Sequence, residues 1–170
     1  QGELVNDDVH QLVREDLIDA EEIGNRYVST TRSVKNSFMK GLAFRLLGLI
    51  YLHQKDFKKA KEAIDQSIET LSKEAPSRYH LNRVKIISGL ICHEMKEVEK
   101  GEKELNEALR YFSSISSYNS LIETHWCLAF LKWDQKKREE AALHLRAGFK
   151  MAAEKKYRYF YSLGKNYLIK

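Results

Sequence analysis

Apolar side chains recur every three or four positions along nearly all of the 170 residues, and nowhere does an alternation of period two persist. That pattern predicts helices throughout. Polar or turn-prone breaks fall near Arg14-Glu15, Ser33 to Asn36, Gln54 to Asp56, Glu74 to Ser77, Lys96-Glu97, Ser113 to Ser117, Asp134 to Lys136 and Lys155-Lys156. Asn6, Asp56 and Ser77 each precede a periodic segment and offer a side-chain oxygen to the first free N–H groups of a helix, so they are expected N-caps. The expectation is about nine helices of about 10 to 19 residues, joined by short corners into stacked hairpins.

Gly48 stands in the middle of the apolar stretch FRLLGLIYLH, where glycine costs roughly 1 kcal/mol relative to alanine. A repeat explains it. Aligning Gly48 with Gly89 and Ala129 places Ala60, Gly101 and Ala141 in a second column, twelve residues on, and Ser67, Ala108 and Gly148 in a third. Ile64, Leu105 and Leu145 form an apolar column between them. All nine positions of the three small columns are Gly, Ala or Ser. Each unit therefore reads as two antiparallel helices whose backbones approach where bulk is missing, and one hairpin needs its neighbours to complete a core.

Phe44, Leu47, Gly48, Tyr51, Ala60 and Ile64 occur in the order of the tetratricopeptide repeat (TPR) signature, and the chain resembles that family. Phe160, Leu163, Gly164 and Tyr167 repeat the first-helix half, whereas Lys85, His125, Cys92 and Lys132 depart from its aromatic and tyrosine positions. Ala20, Ile23 and Tyr27 look like the second helix of an earlier unit. The resemblance implies an all-α, right-handed αα-superhelix forming a single repeat domain over 1–170. Its parts would be a degenerate unit at 1–40, repeats at 41–81, 82–121 and 122–156, and a C-terminal half-repeat or capping helix at 157–170. The spacing of 41 and then 40 residues exceeds the usual repeat, and Pro76 falls late for the motif's final proline. Units of that length are similar to those of large bacterial transcriptional regulators of the MalT-like type, in which an ATPase module, a TPR superhelix and a DNA-binding domain share one chain.

Family resemblance puts the second, fifth, ninth and twelfth residues of each first helix on a concave groove. Those positions give Leu42, Arg45, Leu49 and Leu52; Arg83, Ile86, Leu90 and His93; Glu123, Trp126, Phe130 and Trp133; and Arg158, Tyr161, Lys165 and Leu168. The surface is apolar and aromatic with basic residues scattered through it, which suits a peptide with apolar anchors and acidic groups. Leu49 stands where the carboxylate clamp of chaperone-binding TPRs has Asn, so a chaperone tail is not the expected ligand. For Trp126, Cys127, Leu128, Phe130, Leu131 and Trp133, burial in the core competes with exposure in the groove, because this helix is apolar all round.

The net charge of +5 conceals an asymmetry: residues 1–34 carry eight acidic and three basic groups, the remainder 26 basic and 16 acidic. Solvated lysine accounts for most of that excess. At 157–161, aromatic and basic residues interleave in a way that could stack bases, which makes a nucleic-acid-binding repeat a remote alternative. Cys92 and Cys127 sit in apolar segments as reduced thiols would, which fits a cytoplasmic protein, and no run is long enough to span a membrane. Starting at Gln1-Gly2 without methionine, the chain reads as a piece of something longer.

No phosphate loop, nucleophile elbow or zinc-binding helix motif occurs, and Cys92-His93-Glu94 reads as a buried thiol beside a groove-facing histidine. The expectation is a non-catalytic interaction or sensor scaffold without metal or cofactor. Its partner would be a protein, a peptide or another domain of a larger signalling or transcription-regulatory chain; a stand-alone adaptor is the alternative.

Overall fold

The computed structural model describes residues 19–31 and 36–155, and every regular element among them is helical. These are α1 (19–31), α2 (Ser37–His53), α3 (Phe57–Glu69), α4 (Arg78–Glu94), α5 (Val98–Ser114), α6 (Tyr118–Asp134) and α7 (Arg138–Glu154). A π-helical turn, Thr70–Glu74, continues α3. The expectations at Asn6, Arg158, Phe160, Tyr161, Leu163, Gly164, Lys165, Tyr167 and Leu168 lie outside the described residues. The chain packs as two compact units, Gln1–Ile87 and Ser88–Lys170, taken in turn below.

In the N-terminal unit α2 and α3 form an antiparallel hairpin whose contacts run outward from its corner. Near the corner, a Cβ on Gly48 would lie 2.5 Å from Ile64 Cγ1 and 3.4 Å from the Ala60 carbonyl oxygen. Far from it, a Cβ on Gly41 would lie 2.6 Å from Leu71 Cγ, and the Ser67 hydroxyl donates to the Gly41 carbonyl at 2.7 Å. Gly48 thus makes room for Ile64, which is 1% exposed. Asp56 caps α3, accepting from the Lys59 N–H at 3.1 Å, and Asn36 caps α2 in the same way at 3.0 Å. Ser77 Oγ meets the His80 N–H at 3.5 Å, the long limit of a cap. On α1 the contact is made by Gly24, whose Cβ would meet Leu47 at 2.6 Å. Ile23, beside it, is 61% exposed.

In the C-terminal unit α5 buries one stripe, Gly101, Leu105, Ala108 and Phe112, spaced at four, three and four residues as a helix face demands. Its partner is the end of α4, and here two glycines meet. A Cβ on Gly101 would lie 2.6 Å from the Gly89 carbonyl oxygen, and one on Gly89 would lie 3.0 Å from the Gly101 carbonyl oxygen. The third small column behaves differently. Gly148 of α7 faces the indole of Trp126 rather than a backbone, so its missing side chain admits an aromatic ring. Buried residues surround α6, among them Leu121, Ile122, Thr124, Leu128, Ala129 and Leu131, whereas α7 buries only Ala141, Gly148 and Ala152.

The three hairpin corners share one hydrogen-bond pattern. Lys55, Lys96 and Lys136 adopt left-handed φ values of 61°, 68° and 62°. At each, the lysine N–H reaches three residues back and the next N–H reaches five back: Lys55 to Leu52 and Asp56 to Tyr51, Lys96 to His93 and Glu97 to Cys92, Lys136 to Trp133 and Lys137 to Lys132. These are Schellman motifs, which satisfy the last carbonyls of the first helix. Ser116, at φ 53°, forms the same motif between α5 and α6. The corner before α4 is the exception, since Ala75 bonds back to Thr70, Ser77 to Leu71, and Pro76 between them has no N–H to donate.

Two stability changes of opposite sign follow. Lys96→Gly removes the strain of a side chain at positive φ and is expected to stabilise by about 0.5 to 1 kcal/mol in urea unfolding. Gly101→Ala gains about 1 kcal/mol of helix propensity but drives a Cβ into the Gly89 carbonyl, and overpacking of about 1 to 3 kcal/mol wins. A Gly101→Ala protein with a higher urea midpoint than wild type contradicts the close-approach account.

Candidate partner-binding surface

In the N-terminal unit, α2 and the first half of α4 bring Arg45, Leu49 and Arg83 to a half-buried surface, while Leu52 and Ile86 are buried, Ile86 at 1% exposure. His80 organises this face. The Phe38 ring meets its imidazole edge-on at 5.0 Å between centroids, and Tyr79 does so at 5.2 Å. Burial, then the guanidinium charges of Arg45 and Arg83, push the His80 proton affinity down. Lys40 is held by Glu74 at 2.9 Å, and with Ser37 it keeps that carboxyl below the usual range. Along α1, Glu21, Glu22, Asn25, Arg26 and Ser29 line an open, shallow depression. Glu21 also accepts from Gln54 at 3.0 Å, and burial together with Glu21 raises the Tyr51 phenol.

In the C-terminal unit the aromatic set of α6 divides by depth. Trp126 lies half-buried over Gly148, packed against the Ile122 and Ala152 core and 5.6 Å from the Phe149 ring. Phe130 is half-buried with its ring 5.5 Å from His93, edge to face. Trp133 is 52% exposed, and the Arg138 guanidinium of α7 stacks on it at 3.4 Å from the ring centre. Leu90 is half-buried, and His93 is buried at 6% exposure with Nε2 3.0 Å from Asp134 Oδ2. Cys92 turns elsewhere, toward Gly101 of α5, because consecutive helical residues point about 100° apart. The histidine that has a carboxylate and the adjacent thiol therefore face different helices.

Two polar contacts inside this unit were not foreseen from sequence. Lys132, aligned with Tyr51, has a side chain only 7% exposed, and its ammonium joins Glu102 of α5 at 2.6 Å to Glu140 of α7 at 2.7 Å. Burial opposes its charge, but the two carboxylate bonds outweigh burial, and its proton affinity rises while those of Glu102 and Glu140 fall. His125 of α6 and His144 of α7 place their Nδ1 atoms 2.9 Å apart, a bond that needs one ring to donate and the other to accept. Their spacing of 19 residues crosses a corner, so a search for histidines on one helix passes over it. Among the described residues no three His, Cys, Asp or Glu side chains are grouped to hold a metal ion, and no helix is long and apolar enough to cross a membrane.

No family model, curated protein or solved structure matches this chain.

The histidine pair makes a pH-dependent prediction. His125 is pushed down to about 4 by burial and then by His144, and His144 is lowered by burial and then by Lys132. Groups depressed in the folded state contribute stability above the unfolded value near 6.5 and lose it as pH falls toward 4. Urea unfolding of wild type is expected to lose about 2 kcal/mol more between pH 7 and pH 4.5 than a His125→Leu, His144→Leu double variant. Parallel stability curves for the two proteins remove the pair from the acid response.

Proposed function

We propose that the chain is a non-catalytic protein-interaction scaffold whose first helices carry the binding face, built as a TPR-like superhelix of repeated hairpins. The recurrence of one corner motif at Lys55, Lys96 and Lys136 supports the repeat reading, since a common corner gives each hairpin the same turn. The observation that carries the functional reading is Trp133. A tryptophan 52% exposed and stacked under an arginine holds a large apolar face in solvent with little rotamer entropy left to lose, which is the character of an interface anchor. The long repeats and the all-helical chain suit the sensor or regulatory region of a larger signalling or transcription-control protein. Partner binding on the first-helix face would bias the spacing of adjacent hairpins and so reach attached domains.

A photo-crosslinking residue in place of Trp133 is expected to give a discrete adduct in cells of the source organism, while the same residue in place of exposed Lys103 on α5 gives none. Indistinguishable labelling from the two positions rejects the binding face.

A further inference from the structure

We propose that the corner between α6 and α7 recognises carboxylates of an extended peptide, the Arg138 guanidinium and the Lys136 ammonium pairing with acidic side chains while the exposed part of Trp133 covers the apolar residue between them. This rests on the scaffold reading and names the chemistry of the partner at that face.

The corner sets both cations beside the indole. Arg138 stands with its guanidinium carbon 3.4 Å from the centre of the Trp133 ring. At that separation the group can only lie flat, since turned on edge its nitrogens would enter the ring. A flat stack uses the face of the cation and leaves its N–H groups, which lie in the plane, open to an acceptor. Among the described residues the Arg138 side chain makes that stack and no hydrogen bond or ion pair. Lys136 is fixed to the same place through its backbone, whose N–H donates to the Trp133 carbonyl at 2.9 Å with φ at 62°. Its side chain is exposed and has no ion pair among the described residues.

Carboxylates close by are already engaged. Asp134 pairs with His93 at 3.0 Å, and Glu140 and Glu102 pair with Lys132 at 2.7 Å and 2.6 Å. Lys137, between the two cations, sends its charge to Glu102 and Glu140. Glu139 remains, one negative charge beside two positive ones, so the corner presents net positive charge with unspent donors.

Apolar surface adjoins that charge. Trp133 is 52% exposed even with Arg138 over it. Phe130, three residues back and so on the same side of α6, is half-buried and backed edge to face by the His93 ring at 5.5 Å. A guanidinium held flat on an indole loses little rotamer freedom when it takes a carboxylate through paired hydrogen bonds, and the indole buries the apolar neighbour. Nucleic acid is disfavoured, because phosphate binding needs a run of cations and here Asp134, Glu139 and Glu140 flank them.

The test uses the full chain with an acetylated, fluorescein-labelled peptide of alternating Glu and Leu, a second peptide in which every Glu is Gln, and a labelled single-stranded dT oligonucleotide. Anisotropy is expected to show the acidic peptide binding about 10-fold tighter than the Gln peptide. Arg138→Gln and Trp133→Leu should each weaken it about 10-fold, and Arg138→Lys should recover only part of the loss, since an ammonium has no planar fork. Arg110→Gln, at an exposed position on α5, should change nothing. Should a variant fail to fold, wild type carries the test by NMR, the Trp133 indole N–H resonance moving with the acidic peptide and not with the Gln peptide. Equal affinity for the two peptides, full affinity in Arg138→Gln, tighter binding of the oligonucleotide, or a stationary Trp133 resonance overturns the site. If that happens while the Trp133 crosslink still gives its discrete adduct, the scaffold stands with a partner of other chemistry; equal labelling at Trp133 and Lys103 removes the scaffold itself.

Discussion

Where α4 and α5 cross, the carbonyl oxygen of Gly89 stands within 2.6 Å of the place a Cβ on Gly101 would occupy, and the rest of the C-terminal unit is organised around that approach. Two helices so close put backbone against backbone, and only hydrogen atoms fit between. Leu105 then fills the space beside the crossing and is fully buried, as are Ala108 and Phe112 further along the same stripe. Burying a side chain the size of Phe112 contributes about 2 to 3 kcal/mol, which exceeds the roughly 1 kcal/mol of helix propensity lost at each glycine. The glycines are therefore stabilising in this setting although each weakens its helix taken alone.

The same columns are used for different purposes along the chain. Gly48 accommodates an isoleucine, Gly101 a carbonyl, and Gly148 an indole. A small residue specifies absence of volume, and whatever element lies opposite decides what enters. In the third hairpin a tryptophan enters, which draws Trp126 toward the core and leaves Trp133, two turns away on the same helix, to meet Arg138 at the surface. One aromatic stripe thus supplies core at one end and accessible surface at the other.

Polar side chains take over where the apolar columns lapse. Lys132 stands at the position aligned with Tyr51, and it remains buried because carboxylates from the helices on both sides reach its ammonium. His93 and His125, also at column departures or beside them, each find a partner on a neighbouring helix. Such bonds add little net stability, but a wrong register would strand the buried groups, so they discriminate between pairings.

The order of helices, their corners and the small columns were all legible from spacing alone, because helical period and turn chemistry are local properties. Asp56 as a cap, the break at Lys96 and the pairing of Gly89 with Gly101 needed nothing else. The left-handed lysines were not legible, since no glycine or asparagine marks Lys55, Lys96 or Lys136, and the geometry comes from closing each corner. On α1 the close approach of Gly24 to Leu47 was not marked by the sequence, because Ala20 and Gly24 are both small. Depth along the aromatic stripe, the influence of the Arg45 and Arg83 charges on His80, and the His125 to His144 contact belong to tertiary structure. Each depends on which residues from distant segments arrive at the same place, and a one-dimensional period carries no information about the opposite wall.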